Sequence, residues 1–352
     1  TNTLLEMAQK ASKGDPDYKN HISTLEKRHL DPILHFISLN AQAEVITFLK
    51  SQLNELESLL ESLFTLNELT EKSLSKILSF GEILSSTIIF NILKNQSLSV
   101  SIKDARELIF TNLVNNREIV NHKKSSEKCN AYLLSEKNKI IIIPGFIASD
   151  DKGNSTTLGR GGSDYTAALI ANYLDTDFLE IWTDVNGMYT ANPKMVSQAQ
   201  SIPKLSFQEA MELSHFGAKV IYPPTLQPLI EKQIPLIIKN TFDADASGTI
   251  IDTYGTKSEQ NATIVKGVSH IENVALISLE GSGMIGIPGF SKRLFESLST
   301  KQINIIMITQ ASSEHSICLG VHSEDVESAK KAIDEHFEFE ISQKKVAPAK
   351  IE

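Results

Sequence analysis

The chain has 352 residues, of which 41% are hydrophobic and 22% are charged. This length predicts two domains, or three at most, and the composition is that of a globular protein that can bury a sizeable core. The formal net charge of −9 argues against a nucleic-acid partner, because such binding depends on Lys and Arg side chains that neutralise phosphates. A small phosphate ligand needs only a local positive site and is not excluded.

No apolar run approaches the ~20 residues that a membrane span needs, so we predict no membrane partner; the longest candidate, 140–146, has the length of a strand. No signal peptide is visible, and the chain begins at Thr1 without a Met, which leaves room for an upstream segment. The two cysteines, Cys129 and Cys318, predict neither a disulfide framework nor a zinc site. We therefore expect a reduced, cytoplasmic protein without a protein-bound metal site.

The first part of the chain, to about Phe90, is predicted to be helical. Apolar residues recur there at spacings of three and four, with Glu and Ser between them: Leu53, Leu56, Leu60 and Leu63. This pattern is typical of an amphipathic helix with one buried stripe. The favoured interpretation is a helical insertion at about 15–75 that packs on a core, and a partner-binding coiled coil is the alternative.

From about Ser97, short apolar runs rich in β-formers alternate with helical patterns. The predicted strands are 98–102, 140–143, 178–182 and 234–238, and the predicted helices are 163–174 and 206–216. Ser206 and Glu209 form a capping box at the start of the second helix. The alternation predicts an α/β fold with a largely parallel sheet sandwiched by helices.

A stretch at 243–261, rich in Gly, Ser, Thr and Asp, is predicted to be a linker. After it the predicted strands are 274–279, 303–309, 315–321 and 337–341, and the predicted helices are 289–298 and 326–336. This β-α-β-β-α-β order is that of a ferredoxin-like domain. The predicted domains are therefore 1–262 and 263–352.

The most informative segment is 155–165, with the sequence STTLGRGGSDY, which follows a predicted buried strand and opens a helix. Its glycines allow close backbone approach and positive φ, and the free N–H groups of a helix start attract an anion. Arg160 adds a planar fork suited to a carboxylate or a phosphate. The segment is neither a Walker loop nor GxGxxG, and a glycine-rich turn alone is a weak signal.

Two further segments follow. The sequence WTDVNGMYTANPK at 182–194 lies at the C-terminal end of a predicted strand, where open α/β sheets place ligands. The sequence FGAKV at 216–220 ends the capped helix. On pattern alone its lysine, Lys219, is equally well explained as a C-terminal helix charge and as a ligand-binding group.

These three segments, in this order, resemble the amino-acid kinase family and within it the aspartokinases, over nearly all of 81–250. TTLGRGGSDYTAAL is close to diagnostic, whereas WTDV-x-G-x-Y and FGAKV recur more loosely. SFGEILS at 79–85 resembles the family's Gly-Glu segment, and ITQASSE at 308–314 resembles an ACT regulatory domain. That stretch and MELSHF at 211–216 are most similar to those of bifunctional aspartokinase–homoserine dehydrogenases.

The resemblance implies transfer of the ATP γ-phosphoryl group to the side-chain carboxylate of L-aspartate, the first step of aspartate-derived amino-acid biosynthesis. Arg160 would hold the α-carboxylate of aspartate and Glu82 its ammonium group. The other implied substrate-binding residues are Ser85, Gly161, Gly162 and Ser163. The implied nucleotide-binding residues are Thr183, Asp184, Tyr189, Lys194 and Lys219, and the implied catalytic residues are Asp164 and Lys219.

This chemistry suits the residue types. A carboxylate nucleophile is already ionised at pH 7, so no strong general base is needed. What remains is in-line positioning of the two substrates and neutralisation of the phosphoryl charge by Lys, backbone amides and Mg²⁺.

The resemblance to ACT domains implies a regulatory domain that binds an amino-acid effector, with threonine expected, and that pairs with its copy in a homo-oligomer. The Gly281 to Met284 loop can bring backbone amides to a carboxylate. The implied effector-binding residues are Gly283, Asn304 and Gln310.

The chain departs from the family in two places. The family's first strand carries a Lys-Phe-Gly-Gly-Thr-Ser run that is absent here, so Thr1 is expected to follow that missing strand, and a chain that truly begins there is expected to be a poor kinase. A His-Pro pair is replaced by Tyr222 and Pro223, which we expect to matter little. Two alternatives stay open: a related kinase with another carboxylate or carbamate substrate, and a non-catalytic amino-acid sensor. Whether a dehydrogenase half follows Glu352 is also open.

Overall fold

The computed structural model describes residues 1–114, 117–215, 220–255, 265–310 and 315–352. The chain divides into two compact units, Thr1–Ser269 and His270–Glu352. Residues just before the division belong to the first unit, because the Val268 N–H donates to the Thr190 carbonyl at 2.8 Å and Lys266 pairs with Glu209 at 2.7 Å.

The first unit begins with four helices, as predicted: α1 (Asn2–Ser12), α2 (Asn20–Phe36), α3 (Leu39–Leu66) and α4 (Glu71–Asn95). The predicted leucine stripe lies on α3 and is at most 6% exposed. It packs in a shared core with residues of α1, α2 and α4. Burial of each leucine contributes about 1.5–3 kcal/mol to the stability of the fold. Because the stripe is already covered by helices of the same chain, a helical insertion is favoured over a partner-binding coiled coil.

Helix α4 corrects one expectation. Its most apolar window has a mean hydropathy of 1.4, so by length and composition it is apolar enough to cross a membrane. The sequence analysis overlooked it because serines interrupt the apolar residues without lowering the mean hydropathy much. Ile77, Phe80 and Leu84 of this helix are buried in the core of the unit, which is the arrangement of a core helix.

The α/β part starts with six short strands and one helix. They are β1 (Val100–Ile102), β2 (Thr111–Val114), β3 (Arg117–Val120), α5 (His122–Leu133), β4 (Ile140–Ile142), β5 (Ile147–Ser149) and β6 (Ser155–Thr157). Strands β1 and β4 pair in parallel, as predicted, whereas β2–β3 and β5–β6 are antiparallel pairs. Helix α4 packs against both β1 and β6, and so joins the helical part to this region.

The remaining elements of the first unit build a four-stranded sheet and its helices. They are α6 (Gly162–Leu174), β7 (Leu179–Thr183), β8 (Lys204–Ser206), α7 (Phe207–His215), α8 (Leu226–Lys232), β9 (Leu236–Asn240) and β10 (Thr249–Asp252). The strand order is β7-β9-β10-β8, with only β9 and β10 antiparallel. Apolar side chains of this sheet pack with residues of α6, α7 and α8.

Strand β10 contradicts the predicted linker at 243–261. Thr249 and Ile251 are fully buried, and β10 lies inside the sheet between β9 and β8. The linker prediction was wrong here because polar and small residues flank a four-residue strand too short to show its own periodicity. The remainder of that stretch from residue 256 lies outside the described residues.

The predicted capping box at the start of α7 is confirmed. The Ser206 N–H donates to Glu209 Oε2 at 2.7 Å, and the Glu209 N–H donates to Ser206 Oγ at 3.2 Å. Burial favours the neutral form of Glu209, but the ion pair with Lys266 and the bonds from Ser206 outweigh it and lower its pKa. The reciprocal bonds satisfy two N–H groups that the helix itself leaves free.

The second unit contains β11 (Val274–Glu280), α9 (Phe290–Thr300), β12 (Met307–Gln310), β13 (Ser316–His322), α10 (Val326–His336), α11 (Glu338–Ser342) and β14 (Lys350–Ile351). Its antiparallel sheet has the order β12-β13-β11-β14. Apolar residues of β11 and β13, such as Ile277 and Leu319, form a core with α9 and α10.

The predicted last strand, 337–341, is wrong, since these residues belong to α11 and the turn before it. The alternating Phe-Glu-Phe-Glu-Ile sequence suggested a strand, but Phe337 and Ile341 also have the i, i+4 spacing of a helix. The Ile341 N–H donates to the Phe337 carbonyl at 3.0 Å, and Phe339 is 70% exposed. The last strand of the sheet is instead β14, which pairs with β11.

Candidate active site

The glycine-rich turn, residues 158–164, comprises the four residues that connect β6 to α6 and the first three residues of α6. Gly159 and Gly161 have φ values of +70° and +67°, a region that suits glycine. A Cβ atom on Gly161 would lie only 2.2 Å from Tyr222 Cβ, whereas one on Gly159 would meet nothing within 4 Å. Tyr222, which the sequence analysis expected to matter little, therefore packs directly against the turn.

Neighbouring residues hold this turn in place. The Leu158 N–H donates to the Phe146 carbonyl at 2.8 Å, and the Gly162 N–H donates to the Gly159 carbonyl at 3.0 Å. Thr166 Oγ1 accepts the Phe146 N–H at 3.0 Å and donates to the Gly162 carbonyl at 2.8 Å. The start of α6 is thus fixed to the residue that directly precedes β5, the strand paired with β6.

Helix α6 begins without a side-chain cap. Its first amides, including those of Ser163 and Asp164, have no intrahelical acceptor. They lie where the helix dipole favours a negative charge. The start of α6 is therefore a preformed position for an anionic group.

Three charged side chains of the predicted site lack an ion-pair partner among the described residues: Arg160, Asp164 and Glu82. Arg160 is exposed, and the two carboxylates are partly buried. Burial raises the pKa of Asp164. Burial also raises the pKa of Glu82, although attraction by the Thr1 ammonium group opposes the shift. Partly buried carboxylates without partners are candidates for binding a cationic group of a ligand.

Glu82 and Ser85 lie on α4, and this helix packs against β6, the strand that leads into the glycine-rich turn. The Ser85 hydroxyl is exposed and donates to the Glu82 carbonyl at 3.2 Å. The fold thus brings the element that carries Glu82 against the element that leads to Arg160.

The second predicted segment follows β7, and residues 184–190 are called the β7 loop here. Thr183 pairs with Asn240 across β7 and β9, and its hydroxyl donates to Asp184 Oδ1 at 3.2 Å. Tyr189 is partly buried, while Asp184 and Lys194 are exposed. Lys219, predicted to contact nucleotide phosphates, lies outside the described residues.

Sequence reasoning missed the residues that hold the β7 loop from elsewhere in the chain. Asn240 Nδ2 donates to Asn186 Oδ1 at 2.5 Å, and the Ser201 hydroxyl donates to the Asn186 carbonyl at 2.7 Å. The only available signal was the position of Asn240 at the end of a predicted strand, where α/β sheets place functional groups.

The described residues contain no group of three or more His, Cys, Asp or Glu side chains that could hold a metal ion.

In the second unit, the predicted effector loop is already hydrogen-bonded. The Gly283 N–H donates to the Lys345 carbonyl at 2.9 Å, and the Gly281 N–H donates to the His315 carbonyl at 2.9 Å. Asn304 and Gln310 are exposed, and Gln310 ends the edge strand β12. A groove of about 610 Å³ lies beside the loop and is lined by residues that include Ser282, His315, Lys344 and Lys345.

Comparison with known proteins agrees with the fold. The α/β unit and the second, mostly antiparallel unit match two sequence families. The chain belongs to the amino acid kinase family, whose profile matches residues 5–240. An ACT domain profile matches residues 277–337, so the second unit is an ACT domain.

Among curated relatives, the bifunctional aspartokinase/homoserine dehydrogenase 1 (chloroplastic) of Arabidopsis thaliana is 32% identical over 343 residues, which cover 96% of this chain and 37% of that protein. The lysine-sensitive aspartokinase 3 of Escherichia coli is 35% identical over 271 residues, covering 75% of this chain and 59% of that protein. The chain thus spans little more than a third of the length of the bifunctional relative.

Among solved structures, E. coli aspartokinase III in complex with aspartate and ADP superposes with a TM-score of 0.79 at 28% identity. The match covers 91% of this chain and 70% of that structure. The architecture of the two proteins is therefore shared over most of this chain.

Proposed function

We propose that this chain is the kinase domain and an ACT regulatory domain of an aspartate kinase, with the division after Ser269 rather than between the predicted domains 1–262 and 263–352. It transfers the γ-phosphoryl group of ATP to the side-chain carboxylate of L-aspartate, the first step of aspartate-derived amino-acid biosynthesis. The observation that carries the proposal is the packing of α4, which bears Glu82, against β6, the strand that leads into the turn with Arg160. The aspartate and ADP bound to the E. coli relative support it.

An α-amino acid suits this arrangement because it carries one positive and one negative group. Glu82 binds the ammonium group and Arg160 binds the α-carboxylate with its two parallel N–H donors. The amides of the turn and Ser85 orient the reacting carboxylate, and the contributing turn residues are Gly161, Gly162 and Ser163. The ionised aspartate carboxylate attacks the γ-phosphorus directly, so no side chain has to remove a proton.

The nucleotide binds at the C-terminal end of β7. Thr183, Asp184, Tyr189, Lys194 and Lys219 contact the nucleotide, and the role assigned to Lys219, which lies outside the described residues, is to bind its phosphates. Mg²⁺ would enter with the nucleotide, held chiefly by phosphate oxygens and water, and would supply positive charge against the phosphoryl group. Asp164, in the first turn of α6, organises the transfer.

Regulation is assigned to the ACT domain, with threonine as the effector and pairing with a second copy of the chain. The four residues of edge strand β12, including Met307 and Ile308, are exposed, and an exposed apolar edge favours pairing. Gln310 and Asn304 supply polar contacts to the effector. The Gly283 N–H donates to the effector carboxylate in place of its present bond to the Lys345 carbonyl. The E. coli relative is named lysine-sensitive, so lysine is the natural competitor to test.

Two free cysteines, Cys129 buried and Cys318 partly buried, support location in a reducing compartment such as the cytoplasm. The plant relatives are named as chloroplastic proteins.

The test is an ADP-release assay with the chain and with any longer form that carries the family's first strand, in the presence of ATP, Mg²⁺ and a panel of acceptors. Aspartate-dependent ADP release is expected. ADP release with a different carboxylate or carbamate only would identify a related kinase. Aspartate binding without turnover in the longer form would identify an amino-acid sensor instead.

A further inference from the structure

A buried hydroxyl is among the groups that hold the β7 loop. Thr249, the first residue of β10, is fully buried, and its Oγ1 accepts the Met188 N–H at 2.8 Å and donates to the Ile202 carbonyl at 2.6 Å. A hydroxyl has one hydrogen to donate, so these two bonds use its donor and give the Met188 amide its acceptor.

The hydroxyl completes a short ladder between two loops. The Ile202 N–H donates to the Met188 carbonyl at 2.7 Å, and the Thr190 N–H donates to the Gln200 carbonyl at 2.9 Å. Between these bonds, Tyr189 and Ser201 form an antiparallel bridge. Thr249 Oγ1 stands where a direct return bond from Met188 to Ile202 would otherwise close the ladder.

Contact between the loop and β10 is also close at Gly187. Its φ is +110°, and a Cβ atom there would lie 2.2 Å from Thr249 Oγ1 and 2.9 Å from Thr249 N. No other amino acid fits this approach. Strand β10 therefore fixes the position of the β7 loop through Thr249, which lies 61 residues from Met188 in sequence.

We propose that Thr249 is a positioning residue for the nucleotide, acting through the β7 loop that carries Asp184 and Tyr189. The inference rests on the proposed function, since it assumes that this loop binds the nucleotide. Without the hydroxyl, the buried Met188 N–H and Ile202 carbonyl lose their partners. The loop then shifts until these groups find new ones, and Tyr189, next to Met188, moves with it.

The experiment compares Thr249→Val, which keeps the shape and removes the hydroxyl, with Thr249→Ser, which keeps the hydroxyl. Thr225→Val is the matched control, because Thr225 is a fully buried threonine whose hydroxyl has no hydrogen-bond partner within the described part of the chain. Binding of MgADP to the full chain is followed by fluorescence of Trp182, the single tryptophan, which directly precedes Thr183, and by calorimetry. L-Aspartate is titrated separately.

Thr249→Val is expected to weaken MgADP binding about tenfold, the effect of leaving one buried group unpaired, while aspartate affinity stays within about twofold. Thr249→Ser and Thr225→Val are expected to bind MgADP within about twofold of wild type. Gly187→Ala, whose added Cβ would clash with Thr249 and push the loop away from β10, is expected to give the same selective loss even if Thr249→Val folds poorly.

Wild-type MgADP affinity in Thr249→Val or in Gly187→Ala would overturn the inference. Equal losses of MgADP and aspartate affinity, in step with a loss of folded protein, would also overturn it, because they indicate a purely structural role. If the wild-type chain binds no MgADP by either method, the proposed function itself fails and the inference falls with it.

Discussion

The glycine-rich turn and the β7 loop, which we propose as binding loops of the kinase domain, are held in different ways. The hydrogen bonds of the turn come from residues nearer in sequence, as in the bond from Phe146 to Thr166, 20 positions apart, although Tyr222 also packs against Gly161. The β7 loop is fixed by Asn240 and Thr249, which lie 54 and 61 positions from their partners. A short motif can therefore be recognised from its own residues. The residues that support a loop from a distant part of the chain cannot be recognised from the sequence of that loop.

The largest effect is expected for Arg160→Ala, which removes the cation of the turn. Losing a charge-assisted pair that becomes shielded on binding costs about 2–5 kcal/mol of aspartate affinity, while the β7 loop and ATP affinity stay intact. Calorimetric titration with aspartate and with MgADP measures both sites. Arg160→Lys is the matched control, and it should recover only part of the affinity because lysine lacks the planar fork. Unchanged aspartate affinity in Arg160→Ala would show that this turn does not bind the substrate.

Comparing Gly161→Ala with Gly159→Ala separates the effect of backbone strain from the effect of the contact with Tyr222. Both glycines have positive φ, which costs an alanine about 1–2 kcal/mol, but only Gly161 also meets Tyr222. We expect Gly161→Ala to lose clearly more aspartate affinity than Gly159→Ala, with MgADP affinity unchanged in both. Equal behaviour of the two variants in paired titrations would remove Tyr222 from the account of the turn.

Glu82→Gln tests the unpaired carboxylate through the pH dependence of stability. Because the pKa of Glu82 is raised in the folded state, its ionisation destabilises the fold as pH rises from about 4.5. The variant lacks this cost, so its free energy of unfolding should exceed that of wild type at pH 7 and equal it below pH 4.5. Aspartate affinity should fall at the same time. Urea unfolding at several pH values measures the difference, and a variant less stable than wild type at neutral pH would indicate a structural role for Glu82.

The smallest effect is expected for Ser206→Ala, which removes half of the capping box of α7. The loss is about 1 kcal/mol of stability, with no selective effect on either binding loop. Thermal unfolding measures the first and MgADP titration the second. A selective loss of nucleotide affinity would mean that α7 supports the nucleotide site as well as the fold.

The same difference between nearby and distant partners decides which features of the fold could be predicted from the sequence. The capping box at Ser206 was predictable because its two residues lie three positions apart, and the turn at Gly161 was predictable from the glycines of its own motif. Thr249 was assigned to a linker, since nothing near it shows that its hydroxyl reaches Met188. The helix at 338–342 was mistaken for a strand because five residues cannot separate a period of two from one of 3.6.

The functional residues follow the same rule. The residues that touch the proposed substrates were named from their motifs, and their roles remain predictions. The residues that place those motifs, Tyr222 and Asn240 among them, come from elements brought together only by packing of the sheet and its helices. Sequence reasoning had no period or spacing from which to find them.

The measurement that tests the central claim most directly traps the product. Hydroxylamine added to enzyme, MgATP and L-aspartate attacks an acyl phosphate and gives a hydroxamate that can be identified by mass spectrometry. The account predicts aspartate hydroxamate at the side-chain carboxyl group, dependent on ATP and lost in Arg160→Ala. ATP consumption by a form that carries the family's first strand, without any aspartate hydroxamate, would contradict it.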